Sequence, residues 1–195
     1  MVSLSTQLKK RGKFMSNMQS WKQNVGSIIN YAERIFPEVE IVSRALSGEI
    51  VKSNYGQVAK RAKKLGSSLE AYGIKHGQNV GSLALNTYRN MEMYYGISGM
   101  GAVMHTINFR LHPEQVVYII NHAENRIIFL ETVFAPLLEA IQANCPTVEK
   151  YVLLCSKEEM PETTLKDAIS YEEFIDDGDE SYEWPELEED APCGL

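Results

Sequence analysis

The stretch from Met100 to Ile119, MGAVMHTINFRLHPEQVVYI, places His105 and His112 on either side of an arginine in apolar surroundings. Two histidines at such spacing could bind a metal or act as general bases. His105 is predicted at a strand end and His112 in the following loop. No cysteine or aspartate lies between Met100 and Ile119 to complete a metal shell. We therefore predict no metal ligand and no catalytic residue in this stretch.

Two polar residues of the same loop, Asn108 and Arg110, are the candidate binding residues. They follow a predicted strand, and ligands of α/β proteins bind beside the carboxyl ends of parallel strands. The alternative is that Asn108 and Arg110 only tie the loop to its neighbours.

Other motifs that carry chemistry are weak. The glycines of GISGMG (Gly96, Gly99 and Gly101) have the order GxxGxG and close a predicted helix, whereas a dinucleotide-binding turn has GxGxxG and opens one. We interpret them as close packing of the helix against the sheet. No serine lies in a GxSxG turn. Three cysteines form no CxxC pair, which is typical of reduced thiols.

The elements that must position these residues follow from hydrophobic periodicity. GSIINYAERIF predicts a helix that Pro37 ends, and EVEIVSRAL with EIVKS predicts a β-hairpin. The next helix opens with a capping box between Asn54 and Gln57 and closes at Gly73. Its basic residues are expected on the solvent side: Lys60, Arg61, Lys63 and Lys64.

Short apolar strands then alternate with helices. The strands are predicted at residues 79–85, 102–107, 126–131 and 148–155, and the helices begin near Tyr88, Pro113 and Val133. This alternation indicates βαβ crossovers. The predicted fold class is α/β, a largely parallel sheet flanked by helices.

Charge divides the chain of 195 residues, whose net charge is −7. Residues 172–190 hold 11 of the 26 acids, and no lysine or arginine follows Lys166. The rest is too weakly basic for nucleic-acid binding, and no apolar run could span a membrane. We predict a basic, disordered leader (residues 1–21), an α/β subdomain (residues 22–171) and an acidic connecting segment (residues 172–195) with few apolar groups to bury.

The sequence LALNTYRNMEMYYGISGMGAVMHTINFRLHPEQVVYIINHAENRIIFLE, with NYGQVAKRAKKL upstream, resembles the N-terminal subdomain of AMP-forming acyl-CoA synthetases. These belong to the adenylate-forming superfamily, and the resemblance is greatest to medium- and long-chain fatty acyl-CoA ligases. It covers roughly residues 22–195. Two departures are Phe109, where the family usually has proline, and Asn54, where it has threonine.

The resemblance implies an enzyme that activates a fatty acid or other carboxylic acid with ATP and Mg²⁺ and then transfers the acyl group to coenzyme A. In the family, a Thr/Ser-Gly-Thr-Thr-Gly phosphate loop begins just after a segment like APCGL. We therefore expect a chain truncated before that loop, with an incomplete fold, no activity alone and no productive binding of ATP, Mg²⁺ or CoA. It is expected in the cytoplasm, with mitochondrial targeting by the basic N-terminus as the alternative.

Two further classes stay open. The chain could be a stand-alone binding module for an acidic ligand, or it could act through association, as a homodimer or with a separately encoded remainder. No nucleic-acid partner is expected.

Overall fold

The computed structural model describes residues 21–195, so the predicted leader lies outside the described residues except for Trp21. The α-helices in chain order are α1 (Val25–Ile35), α2 (Tyr55–Tyr72), α3 (Tyr88–Gly99), α4 (Pro113–His122), α5 (Ala135–Ile141) and α6 (Tyr171–Asp176). The strands are β1 (Glu40–Arg44), β2 (Ile50–Asn54), β3 (Asn79–Leu83), β4 (Val103–Thr106), β5 (Ile127–Leu130), β6 (Lys150–Leu153) and β7 (Ala168–Ser170).

A five-stranded parallel sheet of order β4-β3-β5-β6-β7 forms the centre of the molecule, which confirms the predicted α/β class. The predicted hairpin is also present, as the antiparallel pair β1-β2. Strand β7 and helix α6 were not predicted, because three strand residues and six helical residues are too few to show a period. Helix α6 runs across the predicted boundary between residues 171 and 172.

Two apolar layers cover the sheet, and successive strand residues point into opposite layers. In β5, Ile127 and Phe129 pack with α2, α3 and α6, whereas Ile128 and Leu130 pack with α4 and α5. Because both faces are buried, the strand reads as a continuous apolar run and not as an alternating one.

Helix α2 begins and ends where the sequence predicts, but its capping box is incomplete. The Asn54 side chain accepts a hydrogen bond from the Gln57 backbone N–H at 2.8 Å, and Gly73 ends the helix at φ 94°. The Gln57 side chain accepts from the Ser53 hydroxyl instead of returning to Asn54. Reciprocal capping boxes occur elsewhere, between Asn24 and Ser27 and between His112 and Gln115.

The glycines of GISGMG do allow close packing, but the prediction that they pack against the sheet was wrong. A Cβ atom at Gly96 would lie 2.8 Å from Leu65 Cδ2 and 2.9 Å from the Ala62 carbonyl oxygen, both in α2. A Cβ atom at Gly99 would lie 2.9 Å from the Trp184 ring. These glycines therefore admit a neighbouring helix and the C-terminal segment.

Candidate functional site

The loops that follow β3, β4 and β5 meet at one edge of the sheet, because parallel strands all end there. We call residues 84–87, 107–112 and 131–134 the carboxyl edge. It contains both predicted binding residues and is the candidate functional site.

Asn108 and Arg110 are both exposed in the loop after β4. The Asn108 side-chain oxygen accepts a hydrogen bond from the Arg110 backbone N–H at 3.0 Å, which fixes the turn. The Arg110 guanidinium carbon lies 5.6 Å from the Phe109 ring centroid. No side-chain ion pair holds Arg110 within residues 21–195. The loop therefore presents a cation to solvent while Asn108 shapes the backbone.

Phe109 joins two loops of the carboxyl edge. Its ring stacks on Phe134, which follows β5, with the centroids 4.7 Å apart. Where the resembling family has proline to stiffen this loop, the aromatic pair supplies the restraint by packing. The missing proline predicts a less rigid loop, and the stacking opposes that loosening.

His105 and His112 have separate structural partners. His105 is buried in β4, with Nδ1 2.7 Å from the side-chain oxygen of the buried Asn125. His112 precedes α4, and its ring nitrogen accepts from the Glu114 backbone N–H at 3.4 Å. Within residues 21–195 no three histidine, cysteine or acidic side chains cluster as metal ligands would. The arrangement provides a buried polar pair and a helix cap.

A crevice opens at the carboxyl edge between β3 and β5. Strand β4 lies on one side of β3 and β5 on the other, so the loops that follow β3 and β5 lead to opposite faces of the sheet. Ligands of open α/β sheets bind at such switch points. The crevice has a volume of about 190 Å³, and Thr87, Arg89, Glu131 and Cys155 are among its lining residues.

Glu131 is the buried acid of this crevice, 4% exposed. Its burial raises the carboxyl pKa, although a backbone hydrogen bond from Leu85, the charge of Arg89 and the Thr87 hydroxyl oppose the rise. The Thr87 hydroxyl lies 3.4 Å from the carboxylate. Burial also raises the pKa of the Cys155 thiol to about 11, so the thiol is protonated at neutral pH and a poor nucleophile.

Beside the crevice, five side chains form a network that ties α2, α3 and α6 together. We call it the charge network: Arg61, Arg89, Glu92, Tyr171 and Glu172. The Glu92 carboxylate is fully buried, accepting from Arg61 Nε at 2.8 Å and from the Tyr171 hydroxyl at 3.0 Å. Arg89 binds Glu172 through Nε and Nη2, and its Nη1 donates to the Leu154 carbonyl at 3.1 Å.

The Arg61–Glu92 ion pair lies at the centre of the charge network. Burial raises the pKa of Glu92, and the Arg61 guanidinium and the Tyr171 hydroxyl oppose that rise. Burial would lower the pKa of Arg61, but the Glu92 carboxylate outweighs it and holds that pKa above its usual value. Because the donors of Arg89 and the acceptors of Glu92 are occupied, the network binds the fold together and offers little to a ligand.

Sequence reasoning missed this network. Arg61 and Lys63 were wrongly assigned to the solvent side of α2: Arg61 binds Glu92, and Lys63 pairs with Glu33 at 2.6 Å. The available signal was Glu92 itself, a single acid among the apolar residues of MEMYYGI. A buried carboxylate needs a cationic partner.

The acidic segment is also anchored by apolar groups, contrary to expectation. Trp184 packs against Gly26, Gly66 and Gly99, and its indole N–H donates to the Asn30 side-chain oxygen at 3.0 Å. Leu187 is buried, 8% exposed. These two apolar side chains are enough to hold the segment, because each packs into space that glycines leave open.

The last described residues extend the parallel sheet beside β4. The Met104 N–H donates to the Cys193 carbonyl at 3.1 Å, and the Leu195 N–H donates to the Met104 carbonyl at 3.0 Å. Since the pairing is parallel, the backbone runs toward the carboxyl edge and Leu195 lies beside Thr106.

Comparison with known proteins gives one consistent result. A family model described as "AMP-binding enzyme" matches residues 34–193. A 3-methylmercaptopropionyl-CoA ligase of Ruegeria pomeroyi is 41% identical over 88% of this chain and 32% of its own length. A long-chain-fatty-acid–CoA ligase of Thermus thermophilus is 35% identical over 93% of this chain and 32% of its own length. The chain spans about a third of the length of these curated relatives.

Solved structures agree on the fold. An anthranilate CoA ligase in complex with anthranoyl-AMP superposes with a TM-score of 0.77 at 21% identity, over 91% of this chain and 31% of the ligase. The N-terminal domain of FACL13 from Mycobacterium tuberculosis gives 0.73 at 21% identity, over 88% of this chain and 40% of that one. Within residues 21–195, no helix is long and apolar enough to cross a bilayer.

Proposed function

This chain belongs to the AMP-binding enzyme family, and on that premise we propose that it supplies the N-terminal part of a ligase that joins a carboxylic acid to coenzyme A. In the complete enzyme, the acid attacks ATP to form an acyl-adenylate and pyrophosphate. The thiol of coenzyme A then displaces AMP to give the thioester. The acid is proposed as a fatty acid or a related carboxylic acid, because the relatives are named as ligases for several such acids.

The observation that carries this proposal is the path of residues 193–195 along β4. It directs the backbone toward the carboxyl edge, where the loop with Asn108 and Arg110 and the crevice with Glu131 lie. A phosphate loop that followed APCGL, as in the resembling family, would begin at this edge. We propose Asn108 and Arg110 as polar groups facing that loop, with Arg110 offering its charge to an anion.

For this chain alone we propose no adenylation activity. Its 195 residues contain no Ser/Thr/Gly-rich loop with a lysine to balance charge on the leaving pyrophosphate. The described residues do not fit Mg²⁺ either: within residues 21–195 no three histidine, cysteine or acidic side chains are placed to hold a metal ion, and Glu92 is bonded to Arg61 and Tyr171. ATP, Mg²⁺ and CoA are therefore proposed for the complete enzyme, in the cytoplasm, and not for this chain by itself.

Pyrophosphate release tests the inactivity directly. The purified chain is incubated with ATP, Mg²⁺ and medium- and long-chain fatty acids, and a complete relative such as the Thermus thermophilus ligase serves as the positive control. We expect release from the relative and none from this chain above the rate without protein. Release that depends on this chain and on a fatty acid would contradict the proposal.

A second candidate is an interaction module that pairs with a separately encoded remainder. It is favoured by exposed apolar side chains: of the thirteen large hydrophobic residues that are exposed within residues 21–195, nine lie in residues 21–50. Three of them lie on the hairpin, namely Val42, Leu46 and Ile50. Such a concentration is typical of a surface that another polypeptide covers.

Co-expression distinguishes the two candidates. The chain is produced together with the portion of a relative that begins at its phosphate loop, and the pair is purified through a tag on this chain. Co-purification with restored pyrophosphate release would support the module, and Val42→Asp with Ile50→Asp should then abolish both. An excess of ATP or CoA that raises the melting temperature of this chain alone would instead indicate a small-molecule binding module.

A further inference from the structure

An apolar groove lies between α1 and the C-terminal segment. We call it the terminal groove; its volume is about 650 Å³, and Trp21, Ile28, Tyr31, Leu187 and Cys193 are among the residues that line it. Trp21, Ile28 and Tyr31 are each more than half exposed, at 54%, 57% and 55%. Helix α1 therefore has two apolar faces, because Ile29 on its other side is fully buried against α2.

The rim of the terminal groove is acidic. Glu188 and Glu189 line it, and both are exposed. The chain enters along this rim: the Gln23 N–H donates to the Glu189 carboxylate at 2.8 Å, and Lys22 forms an ion pair with Glu188. Glu186 adds a third carboxylate, 3.7 Å from Lys22 Nζ. Trp21, the first described residue, thus lies on an apolar groove with an acidic border.

Residues 1–20 have the complementary composition. They contain four basic residues (Lys9, Lys10, Arg11 and Lys13) and no acid, with seven large apolar residues (Met1, Val2, Leu4, Leu8, Phe14, Met15 and Met18). Moving exposed apolar side chains out of water lowers the free energy in proportion to the apolar area buried. Opposite charges beside them fix which segment binds.

We propose that residues 1–20 dock along the terminal groove, with their apolar side chains on its floor and their basic side chains on the Glu186, Glu188 and Glu189 rim. The segment then covers the apolar face of α1 and clamps the acidic segment at the point where it approaches β4. Composition alone suggests a disordered leader, which stays a prediction, and docking along the terminal groove is the alternative to it.

Cys193 reports on the docking, because it lines the terminal groove whereas Cys145 and Cys155 are buried. The rate of its modification by a maleimide is measured in the 195-residue chain and in a Lys9→Glu, Lys10→Glu, Lys13→Glu variant. The control is Lys60→Glu, Lys75→Glu, Lys166→Glu, which makes the same change in net charge at exposed lysines elsewhere. We expect about fivefold faster modification in the first variant, as for a docked state populated about four-fifths of the time, and the wild-type rate in the control.

A charge swap gives the decisive comparison. Glu188→Lys with Glu189→Lys should also speed modification of Cys193, and combining these with the three leader substitutions should restore slow modification. Deleting residues 1–20 should give the fast rate. Equal rates in the wild-type chain, the deletion and the leader variant would overturn the proposal. Protection that increases with protein concentration would overturn it as well, since a second copy would then occupy the groove.

Discussion

The acidic segment and the carboxyl edge both differ from what their sequences suggest about which region is held by the fold and which is exposed to solvent. The segment has clustered like charges and resembles a spacer, yet Glu172 and Trp184 bind it to α1, α2 and α3. The carboxyl edge has a histidine and an arginine and resembles a reactive centre, yet Asn108 and Arg110 face solvent. The difference teaches that clustering along the chain does not predict exposure, because the partners of a charge come from distant residues.

If the charge network anchors the acidic segment through Glu172, the largest loss of unfolding free energy should come from Glu92, the buried centre of that network. Glu92→Ala removes an acceptor from both Arg61 and Tyr171, and breaking a buried ion pair costs about 3 kcal/mol or more. Urea unfolding followed by circular dichroism measures the change. Glu92→Gln keeps the volume and one acceptor, so it should lose less. A Glu92→Ala chain as stable as wild type would show that the network is not an anchor.

Replacing Trp184 should cause the second-largest loss of unfolding free energy. Trp184→Ala empties the space between Gly66 and Gly99 and removes the hydrogen bond to Asn30. Because the side chain is only partly buried, we expect a loss of about 2 kcal/mol, below that of a fully buried tryptophan. Trp184→Phe is the matched variant and should retain most of the packing. Equal unfolding free energies for alanine, phenylalanine and tryptophan would mean that the segment merely rests on α2 and α3.

On the carboxyl edge, Glu131 should give a smaller effect that depends on pH. Burial raises its pKa above the usual 4.5, so between 4.5 and the raised value the folded chain holds a proton that the unfolded chain has lost. Stability from this group is present below 4.5 and is lost as pH rises through the folded pKa. Glu131→Gln does not titrate. The variant should gain stability relative to wild type as pH rises, and a difference independent of pH would argue against the shift.

The smallest change in stability is expected from Arg110→Ala and Asn108→Ala. Both side chains are exposed, and such substitutions usually change the free energy of unfolding by no more than about 0.5 kcal/mol. Asn108→Ala should cost more than Arg110→Ala, because it removes the 3.0 Å bond that fixes the turn. Thermal unfolding of both variants tests the order. A loss from Arg110→Ala as large as that from Trp184→Ala would make the carboxyl edge structural and end the contrast.

The sequence predicted much of the fold and less of the site. The limits of α2, the hairpin and the parallel strands through β6 followed from periodicity and from Asn54, Pro113 and Gly73, because these signals act within a few residues. The partners of the GISGMG glycines were missed because they lie in α2 and at Trp184. Asn108 and Arg110 were predicted as binding residues, and that role stays a prediction.

By itself, the sequence determined the α/β class, the limits of its long elements and a resemblance that the comparisons turned into family membership. Only the tertiary structure decided which charges are buried, where Trp184 inserts, and that residues 193–195 run beside β4 toward the carboxyl edge. The physical reason is the separation along the chain of the residues that interact. Periodicity and capping act between neighbours in the chain, whereas ion pairs and packing join residues as far apart as Arg61 and Glu172, and only the folded chain brings those together.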